Sequence, residues 1–124
     1  NTSNATERAA AATLTNKRIT KRVNSQASAA TLTPNADSYD VELVTAQAAA
    51  ITIANPSGTP TDGQMMIIRL KDNGTARAIS FGAIYRAAGV TLPTTTVISK
   101  TIYVGLAYNS TDTKWDMIAL AKEA

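Results

Sequence analysis

Between Gly58 and Ala88 the chain reads GTPTDGQMMIIRLKDNGTARAISFGAIYRAA, two apolar runs placed around Asp72-Asn73-Gly74. Asp, Asn and Gly accept positive φ at little cost, so the triplet predicts a tight turn. The flanking segments Gln64 to Lys71 and Thr75 to Phe81 are rich in residues that suit strands. The expected product is a β-hairpin in which Thr75 to Phe81 returns antiparallel to its predecessor. More turn-and-strand units of the same style follow. The chain therefore reads as one all-β module of short antiparallel strands, not as helices around a parallel sheet.

The remaining strands come from alternation. Ile19 and Val23 fall at period two with Lys17 and Lys21, opposite Arg18, Thr20 and Arg22, a pattern that suits a charged edge strand. Ala29 to Thr33 is a short strand closed by Pro34-Asn35-Ala36-Asp37. Tyr39, Val41 and Leu43 then alternate with Asp40 and Glu42, which predicts the apolar set facing inward. Ala48 to Ala54 presents Ile51 and Ile53 on one face. Met65-Met66-Ile67-Ile68 is apolar on both faces, as a central strand of a sandwich would be. Val97 to Tyr108 places Ile102, Val104 and Leu106 opposite Tyr103 and Ala107, and Lys114 to Ala121 places Trp115, Met117 and Ala119 opposite Asp116, Ile118 and Leu120. Short strands with closely spaced turns predict an antiparallel β-sandwich or a jelly-roll-like fold over residues 15–124. Residues 1–14 are polar and Ala-rich and read as a linker or a short frayed helix.

A chain of 124 residues is long enough for one domain with a core of its own. Alanine and threonine dominate it, with one Trp, one Phe and four Tyr, so small and β-branched side chains must fill that core. Alanine brings little apolar area, which makes association with copies of itself the expected way to cover more. The net charge is +3, but Lys17, Arg18, Lys21 and Arg22 form one short cationic run and the other cations are scattered. No basic stripe tracks phosphates, so nucleic acid is not an expected partner. No apolar stretch approaches the ~18 to 20 residues of a membrane-spanning helix. The chain begins with Asn1 and not Met, which reads as a piece of a longer polypeptide.

With no His and no Cys, the commonest general base, thiol nucleophiles and the usual transition-metal ligands are missing. A glycosidase-like carboxylate pair is the one enzymatic chemistry left open. Asp40 and Glu42 fall on one strand face about 7 Å apart, and the plain reading is a solvated sheet face. Asp72 and Asp112 sit in turns, where Asp bonds its local backbone. No catalytic, cofactor or metal residues are expected. The basic run of Lys17, Arg18, Lys21 and Arg22 suits either an acidic ligand or, better, a charged edge or neck strand paired with acidic groups of a neighbouring subunit. Tyr85 and Arg86 in the Gly82 to Gly89 connection, with Tyr108 and Asn109 at the Asn109 to Thr113 turn, are the candidate ligand or partner contacts. Trp115 reads as core or subunit interface.

The succession LTNKRITKRV, LTPNADSYDV, GTPTDGQMMIIRLK, DNGTARAISFGAIYRA, GVTLPTTTV and YVGLAYNSTDTKWDMIALA, covering Leu14 to Ala121, resembles a β-structured domain at the C-terminal ends of bacteriophage virion proteins of the tail-fibre, minor-tail and head-decoration types. The motif is one of turns and strands, so it specifies a fold module more than an activity. The resemblance implies a virion component: a homotrimeric fibre tip, collar or capsid decoration element that contacts other virion proteins and displays a surface to a host glycan. A carbohydrate-binding module of a cell-wall enzyme is the competing reading, and it would call for an aromatic platform on a monomer.

Overall fold

The computed structural model describes residues 11, 13 and 15–124. The linker or helix expected over residues 1–14 therefore lies, but for Ala11 and Thr13, outside the described residues. The rest is all-β. Nine strands follow one another: β1 (Val23–Gln26), β2 (Thr31–Leu32), β3 (Val41–Gln47), β4 (Ile51–Ile53), β5 (Met65–Asp72), β6 (Ile79–Phe81), β7 (Tyr85–Ala87), β8 (Thr101–Asn109) and β9 (Lys114–Lys122). They form a six-stranded sheet in the order β1-β3-β5-β8-β9-β7 and a three-stranded sheet in the order β2-β4-β6.

Pairing departs from the antiparallel expectation. β1, β3 and β5 run parallel in the large sheet, and β2, β4 and β6 run parallel in the small one. The chain thus alternates between sheets, laying one rung in each before returning. A parallel pair needs a crossover, and here each crossover carries a short strand of the opposite sheet in place of a helix. β7 also joins β9 in parallel. Antiparallel strand pairing is confined to β5 with β8 and β8 with β9.

The hairpin expected at Asp72-Asn73-Gly74 is a corner between the two sheets. Both edges of β5 are already occupied, by β3 and by β8, so Thr75–Phe81 has no edge to return along and passes to the small sheet. The Asp72 carboxylate holds the corner, accepting from Gly74 N at 3.0 Å, Ser99 N at 2.8 Å and Thr96 Oγ1 at 2.7 Å. Gly74 has φ 97°, and a β-carbon there would meet nothing closer than Ser99 Oγ at 3.9 Å. Gly74→Val should therefore be penalised through its backbone alone, by about 1–2 kcal/mol. A melting temperature lower by several degrees, roughly 4–8 °C per kcal/mol, is the expected reading in a thermal scan, and no change would exclude the left-handed corner.

One core joins the inward faces of both sheets: Leu32, Ile51, Ile53 and Ile79 from the small sheet meet Val44, Met66, Ile68, Leu70, Ile102, Val104, Leu106, Trp115 and Met117 from the large one. The alternation read for β4 and β8 is reproduced residue by residue, whereas β5, read as a central strand apolar on both faces, buries one face only. In β3 it is inverted. Glu42 and Val44 point inward, and Tyr39, Val41 and Leu43 remain partly exposed. The register explains the inversion, since Val41 lies beside Ile67 on the outer face and Val44 beside Leu70 on the inner one. In β9 the inward set is Trp115 and Met117, and a bulge opposite Gly105/Leu106 then shifts the phase so that Ala119 lies beside Gly105. The edge strand expected from Lys17 begins only at Val23, and Ile19 is 81 % exposed.

Candidate functional site

The two connections singled out at sequence level meet at one corner of the large sheet. β7 lies beside β9 with Arg86 opposite Asp116. The Arg86 guanidinium donates to both Asp116 oxygens, at 2.6 and 3.0 Å, and to Asp112 Oδ2 at 2.9 Å. Asn109 completes the link, donating to Asp112 Oδ2 and accepting from Asp112 N, both at 3.2 Å. The Arg86 bonds hold the Asp116 carboxyl below its usual range, and the two aspartates raise Arg86 in turn. A bidentate Arg–carboxylate pair with a second acid is a clamp that sets the geometry of both loops. Arg86 is thus engaged within the chain while its side chain stays 41 % exposed. Gly82 opens this connection where a β-carbon would run into the side chain and backbone of Asn55.

Tyr85, read as a contact in the same connection, is instead a core residue, 5 % exposed. Its hydroxyl donates to Ala54 O at 2.9 Å, its ring meets Phe81 edge-on at 5.4 Å, and burial, aided by the nearby Glu42, pushes its pKa up. Tyr108 is half-buried and tilted against Trp115, with ring centroids 5.2 Å apart. Asn109 is half-buried at the rim of this corner.

The basic run lies at the opposite edge of the large sheet, where β1 is outermost. Lys17, Arg18 and Lys21 are exposed. Arg22 is paired inside the chain: its side chain donates to both Asp40 oxygens, at 2.9 and 3.1 Å, and to Asp37 O at 2.7 Å. The side-chain and backbone bonds from Arg22 hold Asp40 down to about 2. Glu42, read as part of a solvated face beside Asp40, is 1 % exposed. It accepts from Asn24 Nδ2 at 2.8 Å and Asn35 N at 3.3 Å, and burial pushes its pKa up against those bonds. Asp40 and Glu42 thus stand in different surroundings, one clamped at the rim and one sealed in the interior.

Polar residues that sequence reasoning passed over hold the crossovers. Gln47, fully buried, donates to Ala29 O at 2.7 Å and Ala49 O at 2.8 Å and accepts from Ala29 N at 3.1 Å. It ties the β1–β2 link to the β3–β4 link. Nothing in its neighbourhood of Ala and Thr marks it. Burying such a group requires that each bond be made, which makes Gln47 and Glu42 specifiers of the path between sheets.

Among the described residues two shallow recesses stand out. One, of about 370 Å³, lies between Pro93–Thr95, Val97 and the end of β9 at Leu120–Lys122; the other, of about 200 Å³, lies on the outer face between Leu43, Arg69 and Tyr103. That outer face is the largest feature the sequence reading did not foresee. The strand read as apolar on both faces buries Met66, Ile68 and Leu70, while Met65 and Ile67 are 49 % and 40 % exposed. Among the described residues no group of three or more acidic side chains is placed to hold a metal ion, and no helix is long and apolar enough to cross a membrane. The chain matches no protein-family model, no curated protein and no solved structure.

Proposed function

We propose that this chain is a non-enzymatic structural module of a bacteriophage virion, the homotrimeric end domain of a tail fibre or of a related tail or collar protein. It acts by packing against copies of itself and neighbouring virion proteins, with its loop end turned toward a host surface glycan. The two sheets with their shared core read as a sandwich, coiled through parallel crossovers. One observation carries the reading: Val23, Met65, Ile67 and Tyr103 stand exposed on one face of the large sheet, while Asp40, Glu42, Asp72 and the Arg86–Asp112–Asp116 group are engaged in internal bonds. An exposed apolar patch of this extent favours association over solution chemistry, and the strand succession described above supplies the virion assignment.

An antibody against the chain should decorate purified particles of the parent phage at the tail in negative-stain electron microscopy; unlabelled particles would exclude the assignment. Reducing-end release from host polysaccharide, abolished by Asp40→Asn or Glu42→Gln, would replace it with a glycosidase.

A further inference from the structure

We infer that the outer face of the six-stranded sheet is the surface on which a second copy of this chain packs. The inference deepens the assembly reading above and names its surface. Register places Val23, Val41, Ile67, Gly105 and Ala119 side by side across five neighbouring strands. Each belongs to the outward phase of its strand, and none is charged. The flanking rows add Leu43, Met65, Tyr103, Ala107 and Ala121. Val23, Met65, Ile67 and Tyr103 are each 40–49 % exposed.

The face carries its own complement. On β3 and β5 the outward residues are large, Val41, Leu43, Met65 and Ile67, and form a ridge. On β8 and β9 most are small, Gly105, Ala107, Ala119 and Ala121, and form a trough. Sheets pack face to face at about 10 Å when small side chains oppose large ones. The ridge of one copy therefore seats in the trough of another, either about a two-fold axis or around a closed ring.

Area and charge agree with that occupant. Six strands averaging just under seven residues, at about 4.8 Å spacing and about 3.3 Å per residue, give a footprint of roughly 600 Å² per copy, or about 1,200 Å² for a pair. That clears the roughly 1,000 Å² a specific interface needs. Ion pairs sit at the margins, Arg86 with Asp116 at one corner and Lys71 with Glu123 (3.9 Å) at the far end, which is the apolar-centre, polar-rim arrangement of an interface. Arg69 is the one cation inside the face, and its buried Nε has no acceptor among the described residues.

The test is sedimentation equilibrium of the 124-residue chain from low to high micromolar concentration. The wild type should associate. Ile67→Asp should weaken association on the order of 100-fold, because it buries an unpaired carboxylate between the copies. Val97→Asp, off the sheet face, should leave it unchanged. Ile67→Cys, which supplies the chain's sole thiol, avoids any folding defect of the charged variant. Its alkylation by a maleimide should slow as protein concentration rises, whereas that of Val97→Cys should not. Association unaffected by Ile67→Asp, or alkylation at position 67 independent of concentration, overturns the assigned face. A wild type monomeric throughout overturns the second copy as occupant, while antibody labelling of particles would still uphold the virion assignment.

Discussion

Trp115→Ala should destabilise the chain by about 3–5 kcal/mol, the range for truncating a large buried aromatic side chain. That is a large share of the ~5–15 kcal/mol by which native domains are stable, so the variant should be partly unfolded at 37 °C. Trp115 is fully buried and lies in register with Tyr108 on one side and Tyr85 on the other. Removing its ring would open a cavity beneath the join of β8, β9 and β7. Among the described residues the indole Nε1 has no hydrogen-bond partner. Trp115→Phe should accordingly cost less, about 1–2 kcal/mol, since it removes an unpaired buried donor along with the volume. Urea denaturation followed by far-ultraviolet circular dichroism measures both. A Trp115→Ala variant within 1 kcal/mol of wild type would place the ring outside the core.

Asp72→Ala should cost about 3 kcal/mol at neutral pH, because it leaves Thr96 Oγ1, Ser99 N and Gly74 N without their acceptor at a buried corner. Its effect also depends on pH. Burial pushes the Asp72 carboxyl up, but the bonds from Thr96, Ser99 and Gly74, with Arg77 nearby, outweigh it and hold the group below its ordinary value of 3.8. The native carboxylate binds fewer protons than the unfolded one. The stability it contributes is complete above that value and is lost as pH falls through the depressed folded pKa. Asp40 adds to the same acid limb, which extends to about 2.

Glu42 has the opposite sign. Its folded pKa is raised above 4.5 by burial, so the native state binds the proton more tightly. The contribution of the protonated group is present below 4.5 and is lost as pH rises through the raised value. The stability of the wild type should therefore climb as pH rises toward the ordinary aspartate range and decline again beyond 4.5. Glu42→Gln should remove the decline: Gln keeps one acceptor, and the Asn24 amide can turn to meet its donor. Melting temperatures recorded across this range for wild type, Asp72→Ala and Glu42→Gln are the measurement. An unchanged slope above pH 4.5 in Glu42→Gln would show that Glu42 is not sealed in the interior.

The elements themselves were legible in the residues, and their partners were not. β4 and β8 carry alternation and turn residues bound them, so their existence and inward faces follow from the chain alone, while for β5 only its existence does. Asp72-Asn73-Gly74 was legible as a turn. Whether it closes a hairpin or carries the chain to another sheet depends on whether an edge of β5 is vacant, and the strands that occupy those edges, β3 and β8, come from far along the chain in both directions.

The candidate contacts divide in the same way. Arg86 and Asn109 could be picked out as loop residues, but Asp112 and Asp116, which hold Arg86, are brought to it only by the parallel pairing of β7 with β9. Tyr85 begins the same strand, and its burial depends on the small sheet, where Ala54 O receives its hydroxyl.

By itself the chain determined an all-β fold and chemistry without histidine or cysteine, because composition and period-two alternation act locally. The core, expected to be small and β-branched, instead sets Leu32, Leu70, Leu106, Met66, Met117 and Trp115 among its Ile and Val residues. Only the tertiary structure decided that β1, β3 and β5 stack in parallel, that Glu42 lies inside and Val41 outside, and that a broad apolar face remains uncovered. Apolar residues occupy both phases of the central strands, and local alternation cannot rank two apolar faces. The second sheet made the choice by covering one of them.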